Sequence, residues 1–460
     1  MESLGGPLSI QLYSLVSEPQ RCRAPPSFIP GIIKAPLHPG LLFALRGCEV
    51  PARRATMSAG LSILTLGILL IATGAGAQSA GTALRGILFN IPGGPYAATG
   101  ALTENASSVL YGLLLDETTT FPTGTSAGGF TWSFDDTLRV PVRRSRSFGP
   151  MFAERPFTTG KGKLNVGAAF QHTTFSSVGG RSLTNLESSI VYDNGCCIDR
   201  RTSSLNIQLD RTIVSATYGL HDKIDLAAIV PFGSARVTGF SELYWLDFGV
   251  EGSFRTDRSG SSSGIGDILV RTKVALLASD GFDAAAAVDI RLPTGDPEKL
   301  LGTGSTQARV LFIGGTTLGS VNPHVNIGYT FGGQGMVFGE DNRWQGSRGD
   351  PELISRQPSE EFNYTAGVDV AATLRITIAG DIIGRVVKNS ALMEFIASGI
   401  SNRQINREIT PGTVHKLLGA VGAKVSVGGA WLLTGTVLFP LNDNGIKPAV
   451  TPVIGFERAF

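Results

Sequence analysis

The sequence predicts an all-β protein: a transmembrane, antiparallel, up-and-down β-barrel of about 12 strands. Three observations predict it. From Lys163 onward the chain is a series of runs, each about 9 to 14 residues long, in which apolar and polar side chains alternate; this is the period of a strand with two unlike faces. The connections between those runs alternate between short and long, as they do in barrels that cross an outer membrane. The alternation also continues to Phe460 in "TPVIGFERAF", where a soluble domain usually has a polar, frayed tail.

Composition agrees. Charged residues make up 17% of the 460-residue chain and glycine contributes 59 residues, against roughly 25% charged residues in soluble domains. The formal net charge of +2 gives no electrostatic reason to expect nucleic acid as a partner. After Ala72 there is no continuous apolar run of the roughly 20 residues that a membrane-spanning helix needs. A helical membrane protein is thereby excluded for that region, and a barrel is not, because barrel strands alternate.

The one long apolar stretch is "LSILTLGILLIA", Leu61 to Ala72, followed by "TGAGAQ". Its length and the small residues Ala75 and Ala77 fit a secretory signal peptide over 57–77, cleaved between Ala77 and Gln78. No cysteine stands at that site, which argues against a lipid anchor. Residues 1–56 precede the export signal and read as a doubtful leader, an over-extended translation start. Met57 as the start would leave no positive side chain before the apolar core, whereas a start near Val50 would supply Arg53 and Arg54. Cys22 and Cys48 lie in that leader. Cys196 and Cys197 are neighbours in "DNGCCIDR", and two readings stay open: a local bridge in an oxidising compartment, or two loop thiols. Adjacent thiols without histidine spacing do not make a zinc site, and no metal or cofactor is expected.

The strands follow in order. "KLNVGAAFQ" puts Leu164, Val166, Ala168 and Phe170 on one face, with Asn165, Ala169 and Gln171 on the other. The pattern recurs in "LNIQLD", "KIDLAAIVP", "GDILVRTKVALL", "AAAAVDIRL", "TQARVLFIGG", "HVNIGYTF", "FNYTAGVDVAA", "LRITIAGDIIGRV", "KLLGAVGAKVSV", "WLLTGTVLFP" and "TPVIGFERAF". Long loops are expected over about 174–202, 233–263, 293–304, 333–360 and 388–412, and "LNDNGIK" is a moderate one. Short turns are expected at 221–223, 279–282, 320–322, near Thr373 and at 428–430. An even strand count puts both ends of the barrel, 163–460, on the short-turn side, where the last strand pairs with the first and removes the sheet edge. Phe456 and Phe460 fall on the lipid-facing phase, and the terminal aromatic resembles the signal read by the barrel-assembly machinery. Arg458 breaks the apolar phase two residues from the end and is expected to snorkel to the headgroups. Residues 78–162, with Gly, Ser and Thr between aromatics, read as a periplasmic or plug segment with little regular structure, in which a helix or short strand could lie.

The stretches "YGLHDKIDLAAIVPF", "GIGDILVRTKVALL" and "RLPTGDPEKLLGTGSTQARVLFIGG" resemble an outer-membrane family labelled for the phenol meta-degradation pathway and treated as transporters. The resemblance covers roughly 203–332 and is weaker beyond. It implies a barrel similar in kind to channels for fatty acids and aromatic hydrocarbons, and no catalytic residues. On their own chemistry, Gly219 and Asp222 suit a tight turn, Tyr218 suits an interfacial aromatic girdle, and the glycines of 293–304 suit a compact external turn.

The inward phase supplies the candidate functional residues: Arg271, Lys273, Asp289, Arg291, Arg309, Asp369, Arg375, Asp381, Arg385, Lys416 and Lys424. Arg271 and Lys273 are expected opposite Asp289 and Arg291, and Asp369 near Arg375 or Asp381. Rows of opposite charge set selectivity in water-filled pores; they also merely neutralise a filled lumen, and both readings stay open here. His172, His221, His324 and His415 lie on different strands or turns and form no metal pair. No histidine–serine grouping suggests an enzyme. The sequence therefore points to an outer-membrane channel passing small solutes by diffusion, with hydrophobic or aromatic solutes as the candidates. The alternative is a non-conducting structural barrel that uses its long loops on partners. Outer-membrane lipid, the assembly machinery and a small-molecule solute are the expected partners.

Overall fold

The computed structural model describes residues 78–88, 100–120, 122, 128–135, 140–143, 145–191, 197–247, 249–279, 281–332, 335–339, 352–356, 360–397 and 405–460. The leader, the signal segment through Ala77, Cys22, Cys48 and Cys196 lie outside these residues.

Twelve strands form the wall. They are β1 (Leu164–Val178), β2 (Cys197–His221), β3 (Ile224–Asp247), β4 (Ile268–Ala278), β5 (Asp283–Leu292) and β6 (Gln307–Gly315), then β7 (Val321–Gly332), β8 (Glu361–Ala371), β9 (Ile376–Ala397), β10 (Ile405–Gly428), β11 (Trp431–Pro440) and β12 (Thr451–Ala459). Each pairs antiparallel with the next. β12 pairs with β1 from Val453↔Gln171 to Ala459↔Asn165. The seam is finished by Phe460 N donating to Leu164 O at 2.7 Å and Leu164 N donating to Phe460 O at 3.2 Å. The sheet is thus closed, a 12-stranded antiparallel barrel, and every wall strand has two neighbours.

Burial runs opposite to that of a soluble protein. Val288, Ile290, Val310, Phe312, Ile378, Ile382, Leu433, Val437, Ile454 and Phe456 are exposed on the outer phase. Between them, Asp289, Lys273, Asp381, Lys424 and Thr436 are buried on the inner phase. Water outside such a wall would leave its apolar belt unburied; hydrocarbon outside satisfies it, and a closed ladder leaves no backbone group unpaired there. The barrel is therefore transmembrane. Aromatic residues mark its edges: Tyr218, Trp431 and Phe460 are exposed at the short-turn rim. Arg458 lies there with its guanidinium 5.1 Å from the Trp431 ring centre and 4.6 Å from that of Phe460. Aromatic faces thus hold the one cation on the outer phase of β12. On the outer phase of β9, Gly384 leaves room for Tyr364, whose ring would stand 2.0 Å from any Cβ placed there; the Tyr364 hydroxyl meets His415 Nε2 at 2.7 Å.

Three expected loops differ. Much of 174–202, 233–263 and 388–412 is strand: β2 and β3 run on past the apolar belt, Val250–Ile265 adds to β3, and β9 and β10 continue as one ladder. These stretches clear the membrane, so neither face needs to be apolar, and their polar sequence reads as loop. The segment 293–304 is compact and turns inward. The buried carboxylate of Asp267 accepts from Gly295 N at 3.0 Å, Thr303 N at 2.8 Å and Thr303 Oγ1 at 2.8 Å. Leu300, at φ 60°, and Leu301 are driven into the interior.

Residues before the wall are more ordered than their composition predicts. They form α1 (Ala80–Leu88), α2 (Gly100–Thr120) and a hairpin pairing Trp132–Asp135 with Val140–Arg143. Leu84 and Ile87 of α1, and Tyr111, Leu114 and Leu115 of α2, join one apolar cluster with inward residues of β1 to β3, Phe175, Leu205, Ile207, Ala235 and Val237. The described part of α2 is buried on nearly all sides, so it shows no apolar stripe for a sequence reading to find.

Candidate functional site: the filled lumen

The inner wall meets Glu117 at the end of α2 and the described residues of 145–159 in a set of buried polar contacts. Beginning near the long-loop rim, Glu117 at the end of α2 pairs with Lys416 of β10 and with Arg385 of β9, the latter at 3.3 Å. Arg385 also holds Glu361 of β8 through two bonds, Nε to Oε1 at 2.9 Å and Nη2 to Oε2 at 2.7 Å. Burial alone would raise the Glu117 carboxyl; Lys416 and Arg385 outweigh burial and hold it below the ordinary glutamate value of 4.5.

Deeper in the lumen, Arg271 forms a two-bond pair with Asp289, at 2.6 and 2.8 Å, across the register position that matches them on β4 and β5. Arg309 of β6 reaches the same carboxylate, Nε to Oδ2 at 2.8 Å. Glu154, from the segment inside the barrel, adds a second carboxylate to Arg271. Its backbone is clasped by the Asn326 side chain, which accepts from Glu154 N at 2.7 Å and donates to Glu154 O at 3.1 Å. Lys273 pairs with Asp225 at 3.6 Å and donates to Phe157 O at 2.8 Å; it does not reach Arg291.

Near the short-turn rim the inner segment is held by backbone bonds to wall carboxylates. Met151 N and Phe152 N donate to Asp381 at 3.1 and 2.8 Å. Thr159 N donates to Asp225 at 2.9 Å. Ser147 donates to Asp369, and Phe148 N donates to Thr377 Oγ1 at 2.9 Å. Lys424 reaches Phe148 O at 3.3 Å. Asp369 and Asp381 do not meet directly: His324 stands between them, Nε2 2.7 Å from Asp381 and Nδ1 3.4 Å from Asp369.

Ten of the eleven sequence-predicted residues thus face the interior. Arg375 does not; it is exposed in the turn 372–375 before β9, because its inward phase begins only after the strand has left that turn. The sequence reading misses several groups, among them the wall carboxylates Asp225 of β3 and Glu361 of β8. His324 was set aside with the other histidines, although it falls on the inward phase of β7 between Asn322 and Asn326. The acidic residues Glu117 and Glu154 lie outside the alternating runs, and no strand phase pointed to them. Among the described residues no cluster of metal-ligating side chains occurs.

Between α2, the segment around Phe152 and strands β4 to β10 remains a cavity of about 140 Å³. Arg271, Asp289, Arg291, Arg309, Arg385 and Lys416 all line it. The other predicted inward residues lie at contacts the inner segment fills. The lumen is therefore less wet than the sequence reading expects: Leu269, Leu311, Ile383 and Leu418 are also buried on the inner phase.

Comparison with solved structures finds distant likenesses. An outer-membrane channel from Pseudomonas putida F1 is 13% identical, with a TM-score of 0.43, over 66% of this chain and 97% of that one. The Ralstonia pickettii toluene transporter TbuX is 10% identical, TM-score 0.31, over 65% and 90%. The translocator domain of autotransporter NalP from Neisseria meningitidis is 12% identical, TM-score 0.30, over 65% and 89%. Likenesses this distant assign no solute to this chain. No curated protein sequence matches it. The family described as "Putative MetA-pathway of phenol degradation" does match, over residues 205–390. That stretch runs from β2 into β9, includes the turns and strands in which the resemblance lies, and carries the sequence pattern of that family.

Proposed function

We propose that this chain is an outer-membrane channel that lets small solutes pass by diffusion, with no chemical step. The observation that carries the reading is the cavity of about 140 Å³ within the barrel, lined by charged side chains from β4 to β10. A structural core has no use for so many ion-pairing groups around open space, since apolar packing fills such a volume at lower desolvation cost. In this reading the described structure is a closed state, and residues 115–159 must shift for a solute to cross.

One observation favours the alternative, a non-conducting barrel: the inner segment is tied to the wall by many buried polar contacts and packs an apolar cluster against β1 to β3. Planar-bilayer recording separates the two. Conductance steps from the purified full chain, or from a variant lacking Glu117, support the channel. Silence from both, under a range of voltages and solutes, supports the structural barrel.

The export route is part of the proposal. The signal segment is cleaved after Ala77, and the barrel is assembled into the outer membrane with Phe456 and Phe460 as the assembly signal. N-terminal sequencing of the membrane-extracted protein tests the first point; a mature end upstream of Leu61 would refute it.

A further inference from the structure

Five cations line the cavity, Arg271, Arg291, Arg309, Arg385 and Lys416, together with Asp289 and Glu361 from the wall and Asp116 and Glu154 from the inner segment. Asp289 is shared by Arg271 and Arg309, and Glu361 pairs with Arg385. Glu154 adds to Arg271, and Glu117 pairs with Lys416 and Arg385. Among the described residues Arg291 alone of the five cations makes no ion pair, and its one hydrogen bond there is from Nη1 to the backbone carbonyl of Thr119, at 2.6 Å. A guanidinium has five N–H donors and normally takes carboxylate or phosphate through two of them.

The rest of the cavity is apolar in a way that matters. Leu113, Phe152, Leu269, Leu311, Ile383 and Val387 line it together with the cations. An apolar body beside an underpaired arginine fits a small amphiphilic anion, and inorganic ions would leave those side chains unused.

We propose that Arg291 marks a binding subsite for a small organic anion, its acid group on Arg291 and its apolar body against the neighbouring leucines and isoleucine. Glu117 and Glu154 then stand where further anionic groups satisfy the same wall cations while the lumen is closed. The inference rests on the channel reading for its purpose, and the site itself is tested without conduction.

Benzoate and its uncharged isostere benzamide are the probes, titrated by calorimetry into the detergent-solubilised full chain. Benzoate is expected to bind at one site at least about tenfold more tightly than benzamide, as loss of a charge-assisted bond implies. Arg291→Gln should weaken benzoate by about tenfold or more and leave benzamide unchanged, with the heat-modifiable gel mobility of a folded barrel retained. Should Arg291→Gln not fold, Arg291→Lys, which keeps the charge and loses the planar fork, should bind benzoate with intermediate affinity. Equal binding of the two probes, no binding of benzoate, or benzoate affinity unchanged in the folded variant overturns the subsite. Binding without conductance in a bilayer would instead leave the subsite standing and remove the channel.

Discussion

Replacing Glu117 with alanine should release the inner segment from the wall. Glu117 is buried and takes two cations. The two do not suffer equally. Arg385 keeps its two-bond pair with Glu361, whereas among the described residues Glu117 is the only ion-pair and hydrogen-bond partner of the Lys416 ammonium. The substitution therefore leaves one buried ammonium without its ion-pair partner, a change that costs about 3–5 kcal/mol. At 1.4 kcal/mol per tenfold, the ratio of docked to released inner segment falls by between about a hundredfold and a few thousandfold. Two assays read this: the open fraction in single-channel records, and the rate at which a protease cuts residues 100–160 in folded, detergent-held protein. Glu117→Leu with Lys416→Met, which removes both charges and keeps apolar volume, should recover most of the closure. An alanine variant as closed and as protected as the unaltered chain would show that Glu117 does not hold the segment.

Further predictions follow from the same contacts. Because the Glu117 carboxyl is held below its ordinary 4.5, its contribution to docking is fully present above that pH and is lost as pH falls through the lowered value. Protease protection of the segment should therefore be flat from neutral pH to about 4.5 and decline only below it. Val310→Arg, on the outer phase of β6 where the side chain is 52% exposed, should destabilise the barrel by about 2–4 kcal/mol if it lies near mid-membrane, read as a lower urea midpoint in lipid vesicles. Asp267→Ala removes the acceptor of three hydrogen bonds in the loop 293–304, and hydrogen exchange at Gly295 and Thr303 should rise sharply. Gly219→Val should weaken the turn after β2, because a Cβ there meets Gly160 O at 1.9 Å; a loss of roughly 1–3 kcal/mol is expected, checked by the same urea titration.

The wall was legible because a membrane imposes a rule on every residue that crosses it. Outside must be apolar and inside need not be, so period 2 shows plainly in stretches such as Arg309-Val310-Leu311-Phe312. The Arg271–Asp289 pair was legible for a related reason: the short turn at 279–282 brings the two strands together, and a one-residue register shift between Ala284 and Ala285 then sets Asp289 opposite Arg271. The rule lapses above the belt. Val250–Ile265 lies beyond the belt, and its pattern is indistinct, as is that of the sequence at the ends of β9 and β10. It lapses again inside the barrel, where α2 is surrounded and has no dry side to advertise. Arg375 was misplaced by counting phase through a turn, where phase has no meaning. His324 was passed over because its two aspartate neighbours come from β8 and β9, more than forty residues along the chain.

The direction in which the chain enters its own cylinder has a consequence for biogenesis. Gln78 O is bonded to Ser261 N and Ala80 N to Ser262 Oγ, both at 2.9 Å, on the strand that lies beyond the apolar belt, yet β1 starts at the opposite rim. The polypeptide must therefore run the full depth of the bore before its first staves are laid. A finished hoop would have to be threaded afterwards by two helices, which is slow and sterically awkward. Zipping the β1–β12 edges around an insert already in position avoids that, so an order of assembly in which the joint at Leu164 and Phe460 closes last fits the geometry.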